Sequence, residues 1–380
     1  MFNSLRKAVL HNISPLSLIR IRFISSDSIT THQKSFMISY LINTCGLSQQ
    51  KAISAAKKFH FESSTKPDSV LTLLKNNGFS DSQISKIIAQ RPKILVASVD
   101  KTLKPKFDFF NSKGLSGPDL AKVLSREGTV LLSSLEKTII PNFDSLKSIV
   151  GTDAKVTSML KRSLDVLRCD HDKTLAPNFS ILRAHGVPDS NIAKLLVTQP
   201  RLFIRNPSRF SEKVEEVKKM KLDPSQYLFL MAMHALDAMS RSSLEAKFDV
   251  YKSWGWSEDQ VQCAFQKKPY CMTLSQKNIM STMDSLVNKF GYAPSYIAEQ
   301  PTVLSFSCEK RIIPRCSAMQ ILFRNGKVKQ STTLYSFLKL PEDVFLKKYI
   351  SRFEKEVPEL LTVYPEEGKM NGLDTSCSVV

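Results

Sequence analysis

The chain has 380 residues and carries 54 Lys and Arg against 35 Asp and Glu, which gives a formal net charge of +19 at pH 7. Hydrophobic residues make up 42% of it, which is enough for a folded core and excludes a wholly disordered chain. The positive charge predicts a polyanionic partner, and no apolar run in the sequence is long enough for a membrane span.

The first residues differ in character from the rest of the chain. Arg6, Lys7, Arg20 and Arg22 all precede the first acidic residue, Asp27, and apolar residues and serines lie between them. A basic, acid-free amphipathic start is typical of organellar transit peptides. We therefore expect residues 1–25 to be a transit peptide, and residues 36–70 to form the N-terminal capping unit of the fold that follows.

A block of the form acid-Lys-x-Leu/Ile-x-Pro recurs, and its first three prolines are 36 residues apart. Its four copies are Asp100–Phe107, Glu136–Phe143, Asp172–Phe179 and Glu309–Cys316. Glycines recur in phase with the block, at Gly78, Gly114, Gly151, Gly186, Gly255, Gly291 and Gly326. One repeat, near Leu222, has lost its glycine. A fixed period of this length indicates a repeat protein.

Each repeat is predicted to hold two helices. Apolar residues after the glycine follow helical spacing, as in Ile84, Ile87 and Ile88. The glycine ends the preceding helix, and a Pro-basic turn such as Pro92-Lys93 ends the next one. Because one helix pair cannot bury its apolar face alone, we expect an all-α fold, an α-solenoid of about eight two-helix units over residues 36–365. Residues 366–380 are expected to be a disordered tail.

These features resemble the mTERF family in its plant-type branch. The resemblance is carried by Tyr40–Ser48, Leu74–Ser80, Arg91–Leu95 and the repeated Lys-x-Leu-x-Pro blocks. It implies repeats of two α-helices and a short 3₁₀ turn, which form a curved superhelix. It also implies binding of nucleic acid, mostly duplex DNA, along a concave basic face. Members of the family act in organellar transcription termination and initiation, and some act in RNA metabolism such as intron splicing.

Cations at equivalent positions of the repeats predict where a phosphate backbone would bind. Eight residues after the glycine of their repeats lie Lys86, Lys122 and Lys194, and four residues before the proline lie Lys101, Lys137, Lys173 and Lys310. Six arginines could grip further phosphates or read guanine: Arg126, Arg162, Arg201, Arg205, Arg311 and Arg315. Several of the lysines stand beside an acid, so an ordinary solvated ion pair is the alternative interpretation of each one.

No motif for catalysis or for nucleotide binding by a glycine-rich loop is present in the sequence. The cysteines match no zinc pattern, and neither a metal nor a cofactor is predicted. We interpret the cluster Cys169–His171 as packing or surface residues. Trp254 and Trp256 could stack on bases, but packing in the core is the preferred interpretation.

The sequence therefore predicts an organellar nucleic-acid-binding protein rather than an enzyme. We expect it to bind double-stranded DNA and to regulate transcription, including termination, in mitochondria, with the chloroplast as the alternative. An organellar RNA-binding factor for splicing or transcript processing is a second hypothesis. A helical protein-interaction scaffold is a third, against which the net charge of +19 stands. We expect a monomer without a membrane partner.

Overall fold

The computed structural model describes residues 35–57 and 59–364. Both termini assigned above, the transit peptide at 1–25 and the tail at 366–380, lie outside these residues. All regular elements in the described ranges are helical, which confirms the predicted all-α fold of helical repeats. The chain divides into two compact units, Met1–His171 and Asp172–Val380, and each is considered separately below.

The first unit holds four helix pairs in its described part. Within each pair a short loop turns the chain back on itself, and the second helices α4, α6 and α8 pack against one another in sequence. The helices are α1 at 35–43, α2 Gln49–Ala56, α3 Thr65–Asn76, α4 Asp81–Gln90, α5 Lys104–Ser112, α6 Gly117–Arg126, α7 Ile140–Val150 and α8 Asp153–Arg162.

The second unit continues the same pattern. Its second helices α10, α13, α15 and α17 pack consecutively, and the first helix α9 packs against α12, as α14 does against α16. The helices are α9 Leu175–Ala184, α10 Asp189–Thr198, α11 Pro200–Phe203, α12 Pro207–Lys219, α13 Tyr227–Asp237, α14 Arg241–Ser253, α15 Glu258–Lys267, α16 Gln276–Asp284, α17 Pro294–Glu299, α18 Ile313–Arg324, α19 Leu334–Leu338, α20 Glu342–Phe345 and α21 Leu360–Val363.

The acid-Lys-x-Leu-x-Pro block opens a first helix, as predicted, and in three of its four copies it does so through a π-helical turn. Ser98 begins this turn at Val99–Leu103, and the amide of Leu103 donates to the carbonyl of Ser98 five residues earlier. Pro105 follows in the first turn of α5. Because a proline ring clashes with the carbonyl four residues before it, the wider turn accommodates the ring. Turns of the same kind lie at Leu135–Ile139 and Cys308–Ile312.

Glycine ends first helices in a left-handed conformation, as the sequence predicts. Gly78 has φ +81° and Gly255 has φ +84°, values that glycine adopts without a steric penalty. In the repeat near Leu222, Lys221 takes this place with φ +59°, and it is the only non-glycine residue with positive φ in the described part of the chain. The missing glycine is thus replaced by a strained lysine.

A hydrogen-bond donor on five first helices, buried in four of them, holds the turn that follows the second helix of the same repeat. Lys106 donates to the carbonyl of Leu131 at 2.5 Å, and Asn178 donates to those of Phe203 and Arg205, both at 2.9 Å. The other donors and acceptors are Asn142 to Leu167, Lys247 to Met272 and Arg315 to Leu340. In all five pairs the acceptor follows the donor by 25 residues. We call each such contact a turn clasp.

Candidate nucleic-acid interface

Lys86 on α4 and Lys122 on α6 occupy the same position on neighbouring helices. Each follows the first buried residue of its helix by two positions, Ile84 and Leu120 respectively. Both side chains are exposed, and neither forms an ion pair within the described ranges. Ser158 occupies the equivalent place on α8, so the two lysines form a pair that we call the helix row. Two exposed cations on packed helices can contact successive phosphates.

The π-helical turns of the first unit present a second pair of cations. Lys101 and Lys137 are the third residues of their turns, and both side chains are exposed. Their amides donate to the hydroxyls of Ser98 and Ser134 at 3.3 and 3.1 Å. The serine caps fix the backbone while the ammonium groups stay in solvent without an ion pair among the described residues. We call Lys101 and Lys137 the turn row.

Other predicted cations are also exposed. In the first unit Arg162 ends α8 and forms no ion pair with a described residue. In the second unit the Nζ of Lys194 lies 4.2 Å from the centre of the Tyr227 ring, which holds the lysine on the surface of α10. Lys310 is exposed in its π-helical turn, and Lys173 and Arg201 are exposed as well.

The prediction that Arg315 binds nucleic acid is wrong. Its side chain is 0% exposed, and the guanidinium donates to three carbonyls, those of Phe337, Leu338 and Leu340. A further hydrogen bond of 2.7 Å joins it to the carboxylate of Glu342. A planar guanidinium can satisfy several acceptors at once, and these acceptors leave it no access to a phosphate. Arg315 is the donor of the last turn clasp.

The guanidinium of Arg126 joins two repeats. It is half-buried, and its guanidinium donates to the carbonyls of Lys161 and Arg162 at the end of α8, at 3.2 and 2.9 Å. The neighbouring Glu127 is buried and accepts from the amides of Leu164 and Asp165 at 2.5 and 3.2 Å. Arg126 pairs with Glu127 at 3.2 Å. We remove Arg126 from the proposed interface because its other donors cap helix α8.

Two further arginines of the second unit already contact other side chains of the protein. Arg205 pairs with Asp237 at 3.1 Å, and the Cζ of Arg311 lies 5.5 Å from the centre of the Phe306 ring. Arg205 remains exposed and Arg311 is half-buried. An exposed ion pair contributes little to stability, so Arg205 can exchange its carboxylate partner for a phosphate.

Cations in the last repeat were missed by sequence reasoning. Lys329, Lys348 and Arg352 lie around one cleft, although they come from two segments on either side of α19 and α20. They follow the last glycine marker, so no repeat position draws attention to them. The signal that could have found them is the density of Lys and Arg between residues 324 and 355.

Trp256 and His171 pack within the fold, whereas Trp254 is half-buried. Trp256 is buried and stacks on Tyr251 with ring centres 4.6 Å apart. His171 lies within hydrogen-bond distance of the hydroxyl of Ser145 and the carbonyl of Val166. Burial raises the pKa of the Cys271 thiol to about 12.

Among the described residues no group of acids, histidines and cysteines could hold a metal. None of their helices combines the length and apolar character that crossing a membrane requires.

Comparison with known families matches the mTERF family over residues 71–295 and 238–346, which together span most of the chain. A comparison with curated proteins gives no match. The family match extends over parts of both units and includes the repeats that carry the helix row, the turn row and the turn clasps. The chain therefore belongs to the mTERF family, whose members are organellar nucleic-acid-binding regulators of gene expression rather than typical enzymes.

Proposed function

We propose that this protein binds double-stranded DNA and regulates organellar transcription, including its termination, in mitochondria. The observation that supports binding is the helix row: two exposed lysines at equivalent positions on packed helices, without acidic partners in the described ranges. Such cations bind phosphates and release counterions whatever the base sequence, so backbone contacts provide most of the affinity.

The preference for a duplex rests on the surroundings of these lysines. Proteins that bind single strands commonly stack bases on exposed aromatic rings. The exposed aromatic residues of the described part are Phe36 and Tyr335, and neither belongs to α4 or α6. A rigid surface with cations and without stacking rings suits the regular backbone of a duplex. We infer that the protein acts on it as a monomer.

The test is a triple charge reversal, Lys86→Glu with Lys122→Glu and Lys194→Glu. We expect weaker binding of a fluorescent DNA duplex, measured by anisotropy at several salt concentrations, with an unchanged circular-dichroism melting curve. Loss of three phosphate contacts should reduce the slope of log Kd against log salt by about 2.7, since each contact contributes roughly 0.9.

A matched control variant has the same net charge as the triple variant but carries its three substitutions elsewhere. Lys51, Arg209 and Lys219 are exposed, form no ion pair with a described residue, and lie outside the rows. Their reversal to Glu should change the affinity much less than the first triple variant. Equal weakening by both variants would show that only net charge matters and would overturn the assigned interface. Preference for a single-stranded RNA competitor over the duplex would replace the DNA proposal with the RNA alternative.

A further inference from the structure

A cleft of about 540 Å³ opens in the last repeat, within the second unit. One wall is the loop between α18 and α19, which contributes Lys327 and Lys329. The other wall is the π-helical turn Leu346–Ile350 and the residues after it, which contribute Lys348 and Arg352. Its volume is within the range of sites for small ligands.

The lining of this cleft is cationic and contains no carboxylate. Lys327 is neutralised by an ion pair with Glu356, whose side chain lies outside the lining. Lys329, Lys348 and Arg352 have no ion pair among the described residues, and all three are exposed. Three unpaired cations around one concave space repel each other, and this repulsion is relieved when an anion binds between them.

Hydroxyl groups line the same cleft. Ser331, Thr332 and Thr333 come from the loop that precedes α19. Thr333 begins this helix, but its side chain forms no capping hydrogen bond, so its hydroxyl can donate into the cleft. Lysine, arginine and hydroxyl donors together match the acceptor oxygens of a phosphate group.

Aromatic rings hold two of the cations at the wall. The Nζ of Lys348 lies 5.1 Å from the centre of the Tyr349 ring, and the Cζ of Arg352 lies 5.2 Å from that of Phe353. Tyr349 is buried and Phe353 is partly exposed, and both line the cleft. The cleft therefore offers an apolar surface beside the cations and hydroxyls that can donate hydrogen bonds to a phosphate. This combination suits a nucleotide better than inorganic phosphate.

We propose that this cleft binds a nucleotide phosphate through Lys329, Lys348 and Arg352, with the sugar or base against Phe353. The proposal extends the proposed function, since a nucleic-acid strand is one source of such a phosphate. A free nucleotide is the other source, with the same chemistry.

The experiment measures binding by isothermal titration calorimetry at low salt with the full chain. The probes are a 5′-phosphorylated DNA dinucleotide, the nucleoside thymidine, which has no phosphate, and ATP. The test variant combines Lys329→Gln, Lys348→Gln and Arg352→Gln. Its control combines Lys51→Gln, Arg209→Gln and Lys219→Gln, which removes the same charge elsewhere. We expect the test variant to weaken binding of the phosphorylated dinucleotide at least about tenfold, and the control to change it less than about twofold.

The outcomes distinguish a nucleic-acid strand from a free nucleotide as the occupant of the cleft. They also distinguish failure of the cleft proposal from failure of the proposed duplex binding. Tighter binding of the phosphorylated dinucleotide than of ATP, with weaker duplex binding by the test variant, identifies a nucleic-acid strand as the occupant. Tighter binding of ATP, with unchanged duplex binding, identifies a free nucleotide. Equal weakening by test and control variants, or no preference for the dinucleotide over thymidine, overturns the cleft proposal. Because duplex binding through the helix row is measured on separate variants, its failure would leave the dinucleotide result intact.

Discussion

Lys221 has a backbone conformation that glycine provides in the other repeats. A left-handed conformation costs an L-residue about 1–2 kcal/mol because its Cβ crowds the following carbonyl oxygen. The side chain of Lys221 is exposed and forms no ion pair within the described part of the chain, so its contacts do not offset this cost. The strain is local to the end of α12, where the chain must turn back toward α13.

Lys221→Gly is expected to stabilise the protein by about 0.5–1 kcal/mol, since relief of strain exceeds the extra entropy of glycine in the unfolded chain. The measurement is the free energy of unfolding in urea. Lys219→Gly, at the last residue of α12, is the control and should destabilise by up to about 1 kcal/mol. A Lys221→Gly variant no more stable than the parent chain would contradict this account.

Single residues also show what sequence could predict. The glycine positions were predicted because only glycine adopts positive φ freely, whereas nothing marks Lys221 as the residue that replaces one. Arg315 was assigned to phosphate because residue type does not reveal burial. Its place, directly after Pro314, carried the missing signal: Lys106 and Asn178 also follow a proline and are also buried.

At the scale of elements, the turn clasp explains how a short turn keeps its position after five second helices, which are α6, α8, α10, α15 and α19. Turns such as Pro200–Phe203 are only four residues long, and carbonyls at their C-terminal ends face the first helix of the same repeat. A buried carbonyl without a partner costs about 1–3 kcal/mol. Sequence periodicity predicted the turn, but the donor differs between Lys, Asn and Arg, so no shared residue type revealed it.

Asn178→Leu should therefore destabilise the protein by about 1–3 kcal/mol, because it leaves the carbonyls of Phe203 and Arg205 without their donor. Urea unfolding provides the measurement. Asn191→Leu is the matched control: Asn191 donates to the carbonyl of Ser225 at 3.0 Å, but that bond is exposed to water. Its loss should cost less than about 1 kcal/mol. Equal destabilisation by the two variants would argue against the clasp.

Over the whole molecule, the net charge of +19 coexists with carboxylates that join consecutive repeats in both units. Asp119 pairs with Lys161 at 2.6 Å, and Asp153 pairs with Lys113 at 3.1 Å. Hydrogen bonds from Lys161 and Lys147 lower the pKa of Asp119 and Asp153, and one from His185 lowers that of Glu215. Protonation of these groups removes links between repeats and raises the positive charge further.

The sign of the pH dependence follows from these shifts. Carboxyl groups with a lowered folded pKa stabilise the protein fully above their unfolded pKa, roughly 4, and this stabilisation is lost as the pH falls through the folded pKa. We expect the urea midpoint to fall between pH 5 and 3, and to fall less in an Asp119→Asn, Asp153→Asn double variant. Asp144→Asn, which removes an exposed carboxylate without a described ion pair, is the control. A pH dependence unchanged by the double variant would contradict this explanation.

The turn clasp has a consequence for how such an array can change its length. Donor and acceptor are 25 residues apart, which is less than the period of 36, so both lie inside one repeat. A segment of one period that begins at the serine that opens a repeat, such as Ser98 or Ser134, contains both the donor and the acceptor of its turn clasp. Duplication or excision of one whole period there leaves every clasp complete, whereas a cut through a second helix strands a buried donor. Growth by complete modules is thus built into the hydrogen bonding.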